Sequence, residues 1–206
     1  MKTMIRGALL VSTLLTLRTV APLAFGAPPD AAKHSAKAGS GASPAAHSLN
    51  LAGTTFLHRW SQADQHEFTP EGQEDLQRWR DMLTVNYYKN VKDGDALSAT
   101  ANSALENYKS HNALVVKTSS VPRTAERPAE YLIVVFFPQP DFIEAVFARF
   151  KLIGEIGAAA IYSHREYGQK IGDRMSAWLQ QNGPAIEKAL LSADGLPPAQ
   201  NTMKLP

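Results

Sequence analysis

Apolar positions along this 206-residue chain change period several times, and each change predicts an element. TTFLHRW (Thr54 to Trp60) and HEFTP (His66 to Pro70) are aromatic-rich flanks around the polar turn Ser61–Gln65, a β-hairpin pattern. EGQEDLQRWR is charged apart from Leu76 and Trp79 and reads as a loop or one exposed turn. DMLTVNYY, Asp81 to Tyr88, is β-branched and aromatic and reads as a strand. After Asp93-Gly94-Asp95 the period lengthens. Leu97, Ala101, Ala104, Leu105 and Tyr108 fall at helical spacing, with Asp95 as the N-cap. ALVVKTSSV (Ala113 to Val121) returns to strand character. YLIVVFF, Tyr131 to Phe137, is seven apolar residues in succession and predicts a central strand covered on both faces.

Beyond Pro138-Gln139-Pro140 the pattern alternates from Phe142 to Ile153, and Gly154–Gly157 turns the chain into a last strand, Ala158 to Arg165. Ile171, Met175, Trp178, Leu179, Ile186, Ala189 and Leu190 give an amphipathic helix. Asn182-Gly183-Pro184 is expected to break it in two, because proline fits a first turn and not a helix interior. Seven strands at most and two helices predict an α+β fold: an antiparallel sheet of about five to seven strands packed by two main helices, an α/β sandwich.

The first fifty residues read differently. Lys2 and Arg6 precede an apolar run from Gly7 to Leu17, and Ala24-Phe25-Gly26 supplies small residues at the positions a signal peptidase reads. Arg18 ends the run after eleven residues, short of the about 20 that a membrane span needs. Residues 1–26 are therefore expected to be a signal peptide. Residues 27–50 are small, polar and rich in Pro, Gly and Ser, the composition of a flexible tether, with His34 and His47 incidental to it. One domain is expected over 51–193, with a loose tail over 194–206.

Composition narrows the chemistry. The chain has no cysteine, which excludes a bacterial lipid anchor, disulfides, thiol catalysis and cysteine metal sites. The whole chain carries +2; without Lys2, Arg6 and Arg18 the exported form carries −1 and shows no basic stripe for nucleic acid. The expected location is the periplasm or the exterior, with no membrane span in the mature form.

The order FLHRW…HEFTP, DMLTVNYY, the Leu97–Tyr108 helix, YLIVVFF with its following hairpin, and the Trp178 helix resembles the PsbP/DcrB-like α/β sandwiches exported by bacteria. The resemblance spans roughly residues 54–192 and lies in the order of elements. It implies a non-catalytic adaptor or assembly factor and carries over no functional residue.

The densest cluster of reactive side chains is YSHREYG, Tyr162 to Gly168. Alternation puts Tyr162, His164 and Glu166 on one face and Ser163, Arg165 and Tyr167 on the other. His164 with Glu166 is a base beside an orienting carboxylate; Ser163 points away, and the chain has no G-x-S-x-G elbow. Tyr162, His164, Arg165, Glu166 and Tyr167, with Trp79 and Arg80, form the candidate partner-binding surface, since Trp and Arg are enriched at interfaces. The alternative for the same residues is a polar strand end. His58 and His66, with Asp64 or Glu67, are a weaker metal reading; Pro70 bars the helical H-E-x-x-H register and a third ligand is lacking. Glu74, Asp75 and Asp81 invite comparison with a glycosidase carboxylate pair, but the sequence shows no fixed separation across a cleft, and a solvated charged turn with Trp79 beneath it is the better reading. The remaining aromatics, Phe56, Trp60, Phe68, Phe136, Phe142, Phe147, Phe150 and Trp178, are assigned to the core.

The function expected is an exported, non-catalytic binding or assembly protein of the bacterial envelope. It needs no cofactor, and its partner is another envelope or secreted protein; an inhibitor or immunity pairing is the specialised form of this reading. Two alternatives stand beside it: an envelope hydrolase with His164 as base, and a small-ligand carrier with an apolar cavity between sheet and helix.

Overall fold

A computed structural model describes residues 48–192. The expected signal peptide, most of the tether and the tail lie outside them. Ten elements follow in order: β1 Ser48–Leu51, β2 Thr54–Gln62, β3 Gln65–Thr69, β4 Asp81–Tyr88, α1 Gly94–Ser110, β5 Leu114–Val121, β6 Glu130–Pro138, β7 Phe142–Ile153, β8 Ile156–Tyr167 and α2 Ile171–Leu191. The strands form one antiparallel sheet in the order β1-β2-β3-β4-β8-β7-β6-β5. The fold is α+β, as the element pattern predicts, but with eight strands rather than five to seven. The eighth is β1, which straddles the boundary expected between tether and domain: Ser48–Leu51 pairs with β2, and Leu51 is buried. Ser-Leu-Asn-Leu alternates as a strand does, but a run of four residues closing a Pro/Gly/Ser-rich stretch is too short to decide an element by its period.

The helices cover opposite faces of the sheet. Tyr108 of α1 meets Phe137 edge-on, while Met175, Ile186 and Leu190 of α2 share a core with Val134, Ala145 and Phe147. Phe56 of β2 reaches Tyr162 of β8 across two intervening strands, so the β1–β3 end of the sheet curls toward the α2 side. YLIVVFF is covered on both faces from Leu132 to Val135, yet β6 stands one place from the edge; the middle of the sheet is β4 and β8.

Two helix details depart from the pattern. The N-cap of α1 is Asp93, whose carboxylate accepts from the Ala96 amide at 2.8 Å, and Asp95 sits in the first turn, where the helix dipole favours an acid. α2 runs unbroken through Asn182-Gly183-Pro184. Proline at 184 denies the Gln180 carbonyl its helical partner, but both residues are exposed, so water can satisfy it. Gly183 faces inward; a Cβ there would press on Leu179 at 3.1 Å and reach Phe147 at 3.8 Å, so its absence lets the helix lie close on the sheet. Among the described residues no helix is long and apolar enough to cross a membrane.

Candidate functional site

The antiparallel register of β4 on β8 sets Asp81 directly opposite His164. Period-two alternation then aims Tyr162, His164 and Glu166 at α2. The Asp81 carboxylate accepts from the Tyr162 hydroxyl at 2.6 Å and lies 2.8 Å from His164 Nδ1. His164 Nε2 is 3.4 Å from Glu166 Oε1, and Glu166 is ion-paired with Arg174 of α2. The indole of Trp178, one helical turn beyond Arg174, lies flat on the imidazole at 3.8 Å and stacks on Tyr162 at 6.2 Å. A chain of polar contacts thus runs Tyr162–Asp81–His164–Glu166–Arg174 beneath one helix.

Electrostatics follow from burial. Burial alone would raise the Asp81 carboxyl, but hydrogen bonds from His164 and Tyr162, the His164 charge and Gln73 outweigh it and hold the carboxyl below its ordinary value. The same burial, with Asp81 as neighbour and acceptor, pushes the Tyr162 phenol far up, so it remains a proton donor.

The other face of the strand uses different means. The Arg165 guanidinium lies 3.9 Å from the Trp79 ring centre and 4.4 Å from that of Phe142, while its Nε donates to Glu144 at 2.8 Å. The Tyr167 hydroxyl donates to the Trp79 carbonyl at 2.8 Å, and the Arg165 amide to the Arg80 carbonyl at 2.7 Å. These bonds fix the 70–80 loop, in which Gln73 Oε1 accepts from the amides of Arg80 and Asp81.

The seven residues chosen as a contact surface are therefore neighbours, but most are not surface. Trp79, Tyr162, His164, Arg165 and Glu166 are all buried; Tyr167 is half-buried, and only Arg80 stands in solvent. His164 is 4% exposed. Both its nitrogens face carboxylates and one ring face is covered, so no edge remains for abstracting a substrate proton. Asp81, not Glu166, is its nearer carboxylate. Trp178, assigned to the core, is the half-buried cover of this cluster, and Arg174, which the sequence pattern does not single out, is its outer ion-pair partner.

The two hairpin histidines do come together. The Ser61 hydroxyl lies 2.6 Å from His58 Nε2 and 2.7 Å from His66 Nδ1. Burial lowers the basicity of His66 against a smaller opposing effect of Asp64. Asp64 is committed to Lys89 at 2.6 Å, and Glu67 accepts from Gln65. Among the described residues no group of three or more His, Cys, Asp or Glu side chains is placed to hold a metal ion. Glu74 pairs with Arg59, Asp75 receives the Gln77 amide and Asp81 belongs to His164, so the three acids serve separate local structures.

Concavity lies elsewhere. A groove of about 630 Å³ opens between α2 and the β5–β6 end of the sheet. Val134 and Phe147 are its floor, Val116, Leu179 and Leu191 its apolar walls, and Lys188 stands at its rim. The Lys117–Glu187 ion pair, 2.6 Å, crosses from β5 to α2. Beside it Leu114, Val115 and Val116 are 59%, 43% and 45% exposed.

No family model matches the chain, and no curated protein matches it. Among solved structures, the Ran-binding protein Mog1p of Saccharomyces cerevisiae is similar at 8% identity over 68% of this chain and 94% of its own, with a TM-score of 0.44. Human STARD10 is similar at 10% identity over 67% of this chain and 74% of its own, with a TM-score of 0.29. Neither likeness bears on what the chain does.

Proposed function

We propose that the chain is an exported, non-catalytic binding or assembly protein of the bacterial envelope, and that it binds through the α2–β5 groove rather than through the Tyr162–Tyr167 strand end. The observation that carries this reading is a contrast in access. The one reactive-looking cluster is buried under Trp178 with its hydrogen bonds made, whereas large apolar side chains meet solvent along β5, next to an open groove. Exposed apolar surface rimmed by charge is the ordinary mark of a binding site. The signal-peptide pattern of residues 1–26 supports export, and the order hairpin, strand, helix, meander, C-terminal helix supports the resemblance to PsbP/DcrB-like proteins. The partner on this reading is another envelope or secreted protein, in the manner of an inhibitor or immunity pair.

The groove also favours a second reading, a small-ligand carrier, because its volume and apolar lining suit a ligand site. The hydrolase reading draws no support from a histidine without a free edge.

The test compares capture of envelope components by the wild type, by a Leu179→Gln/Lys188→Glu variant and by Arg80→Ala, each checked for folding. Loss confined to the groove variant supports the proposal, and a lipid or other small molecule in the eluate would select the carrier form of it. Loss confined to Arg80→Ala returns the surface to the strand end. Hydrolysis of an envelope ester or glycan by the wild type, abolished in a folded His164→Ala protein, would overturn the non-catalytic reading.

A further inference from the structure

The groove beside α2 ends where the helix ends. Its helical wall is one stripe, Leu179, Gly183, Glu187 and Leu191, and Leu191 is the last residue of α2. The direction in which the chain leaves is fixed there. Arg149, buried on β7 and ion-paired with Glu130, donates through Nη1 to the carbonyls of Leu190 and Ser192, the second at 2.9 Å. Ser192 is already extended, with ψ 149°, so the chain departs from the helical path at the mouth of the groove.

At least fourteen residues follow, ADGLPPAQNTMKLP. Asp194-Gly195 is a turn signal. Leu196-Pro197-Pro198 then excludes both regular elements, because proline lacks the N–H that a helix interior or a sheet ladder needs. Two prolines in succession favour polyproline II, a conformation with little freedom left to lose when it docks in an apolar groove.

We infer that residues 193–206 turn back at Asp194-Gly195 and occupy the groove, antiparallel to α2. The lengths agree. From Leu179 to Leu191 the helix rises about 18 Å at roughly 1.5 Å per residue, and a polyproline II segment covers that distance in about six residues at roughly 3.1 Å each. Leu196 then lies beside Leu191, Thr202 and Met203 reach Leu179, and Ala199 falls midway. The Lys117–Glu187 ion pair bridges the groove near its middle, so the smallest side chain of the segment crosses at the narrowest place. The turn brings the Asp194 carboxylate to the end where Lys188 stands, opposite charge to opposite charge. The N-terminal stretch is the poorer occupant, because it enters the sheet at β1, the edge farthest from β5.

Tethering favours this occupant over one from outside. A segment joined by a few residues is held at about millimolar effective concentration, and a partner taking the groove has to displace it. The tail is therefore a gate on the binding site. This gating rests on the groove being the binding site; the docking itself does not.

The absence of cysteine allows a direct test in the full chain. Val116→Cys combined with Ala199→Cys should form an intramolecular disulfide on mild oxidation. Ala185→Cys, exposed on α2 away from the groove, should not pair with Ala199→Cys. Leu196→Asp/Met203→Asp, with unchanged circular dichroism, should uncover the groove and raise the fluorescence of added anilinonaphthalene sulfonate, and a further Leu179→Gln should reverse that rise. Oxidation as fast with Ala185→Cys as with Val116→Cys, or dye fluorescence indifferent to the tail change, overturns the docking. Cross-linking to Val116→Cys, with envelope capture that ignores both the tail change and Leu179→Gln/Lys188→Glu, would uphold the docking and remove the groove as partner site. Capture lost in Leu179→Gln/Lys188→Glu without any cross-link to Val116→Cys would keep the partner site and overturn the docking.

Discussion

On one face of β8, Tyr162, His164 and Glu166 are joined through Asp81 and Arg174 by hydrogen bonds and ion pairs; on the other, Arg165 is clasped between two aromatic rings and Tyr167 is bonded to a backbone carbonyl. Both faces bury charge, by different physics. The α2 face distributes its charge along a chain in which each acid has more than one partner. The opposite face concentrates it in a single guanidinium. Redundancy against concentration predicts different responses to the loss of one member.

The largest effect is expected on the concentrated face. Arg165→Met keeps apolar bulk between Trp79 and Phe142 but leaves Glu144, 16% exposed, without its cation. Removing one partner of a buried pair costs about 3–5 kcal/mol, read as a lowered midpoint in urea denaturation. On the redundant face His164→Ala should cost less, about 2–3 kcal/mol, because Asp81 keeps Tyr162 and Gln73 and Glu166 keeps Arg174. His164→Phe restores the ring under Trp178 and should recover about 1 kcal/mol of that loss as an aromatic pair. If His164→Ala proved more destabilising than Arg165→Met, the description of the two faces would have to be exchanged.

The same contrast explains what could be read from the sequence. Periods alone located β2 through β8 and both helices, because hairpin and helix signals are local. Alternation correctly put His164 beside Glu166 and turned Ser163 away. What it could not supply was Asp81, whose contact with His164 depends on β4 lying next to β8, 83 residues apart. Nor could it show that Trp178 settles on the imidazole, since an amphipathic helix can dock in several rotations. The heptapeptide looked reactive because polar groups in a strand are scored as exposed; the pairing that buries them is non-local. The β5 edge was missed for the converse reason. ALVVKTSSV reads as an ordinary strand, and only the sheet order places it last.

Acid titration sharpens the α2 face. The Asp81 carboxyl is held below its ordinary value of 3.8 in the folded state, so the unfolded chain takes up its proton first as pH falls. Its contribution to stability is therefore complete above about the ordinary carboxylate range and declines as pH falls from there through the lower folded value. Denaturation midpoints followed downward from pH 5 should show this decline in the wild type and a shallower one in Asp81→Asn. Equal slopes would mean that other carboxylates carry the acid sensitivity.

The smallest effect belongs to the concentrated face and has the opposite sign. Glu67 of β3 has its carboxyl raised by burial, and Glu144 nearby adds to the rise, against the opposing influence of Gln65 and Arg165. A carboxyl raised on folding favours the protonated folded form. Its penalty is absent at low pH, grows as pH rises past the ordinary value of 4.5, and is complete above the folded value. Glu67→Gln keeps the shape and removes the charge, so at neutral pH it should stabilise the protein by less than about 1 kcal/mol, with the gain vanishing in acid. In an Arg165→Met background the gain should be larger, because the guanidinium that offsets the crowding of Glu67 and Glu144 is gone. A gain of equal size in both backgrounds would show that Arg165 does not hold the acids of its face together, and the concentrated description would fail there.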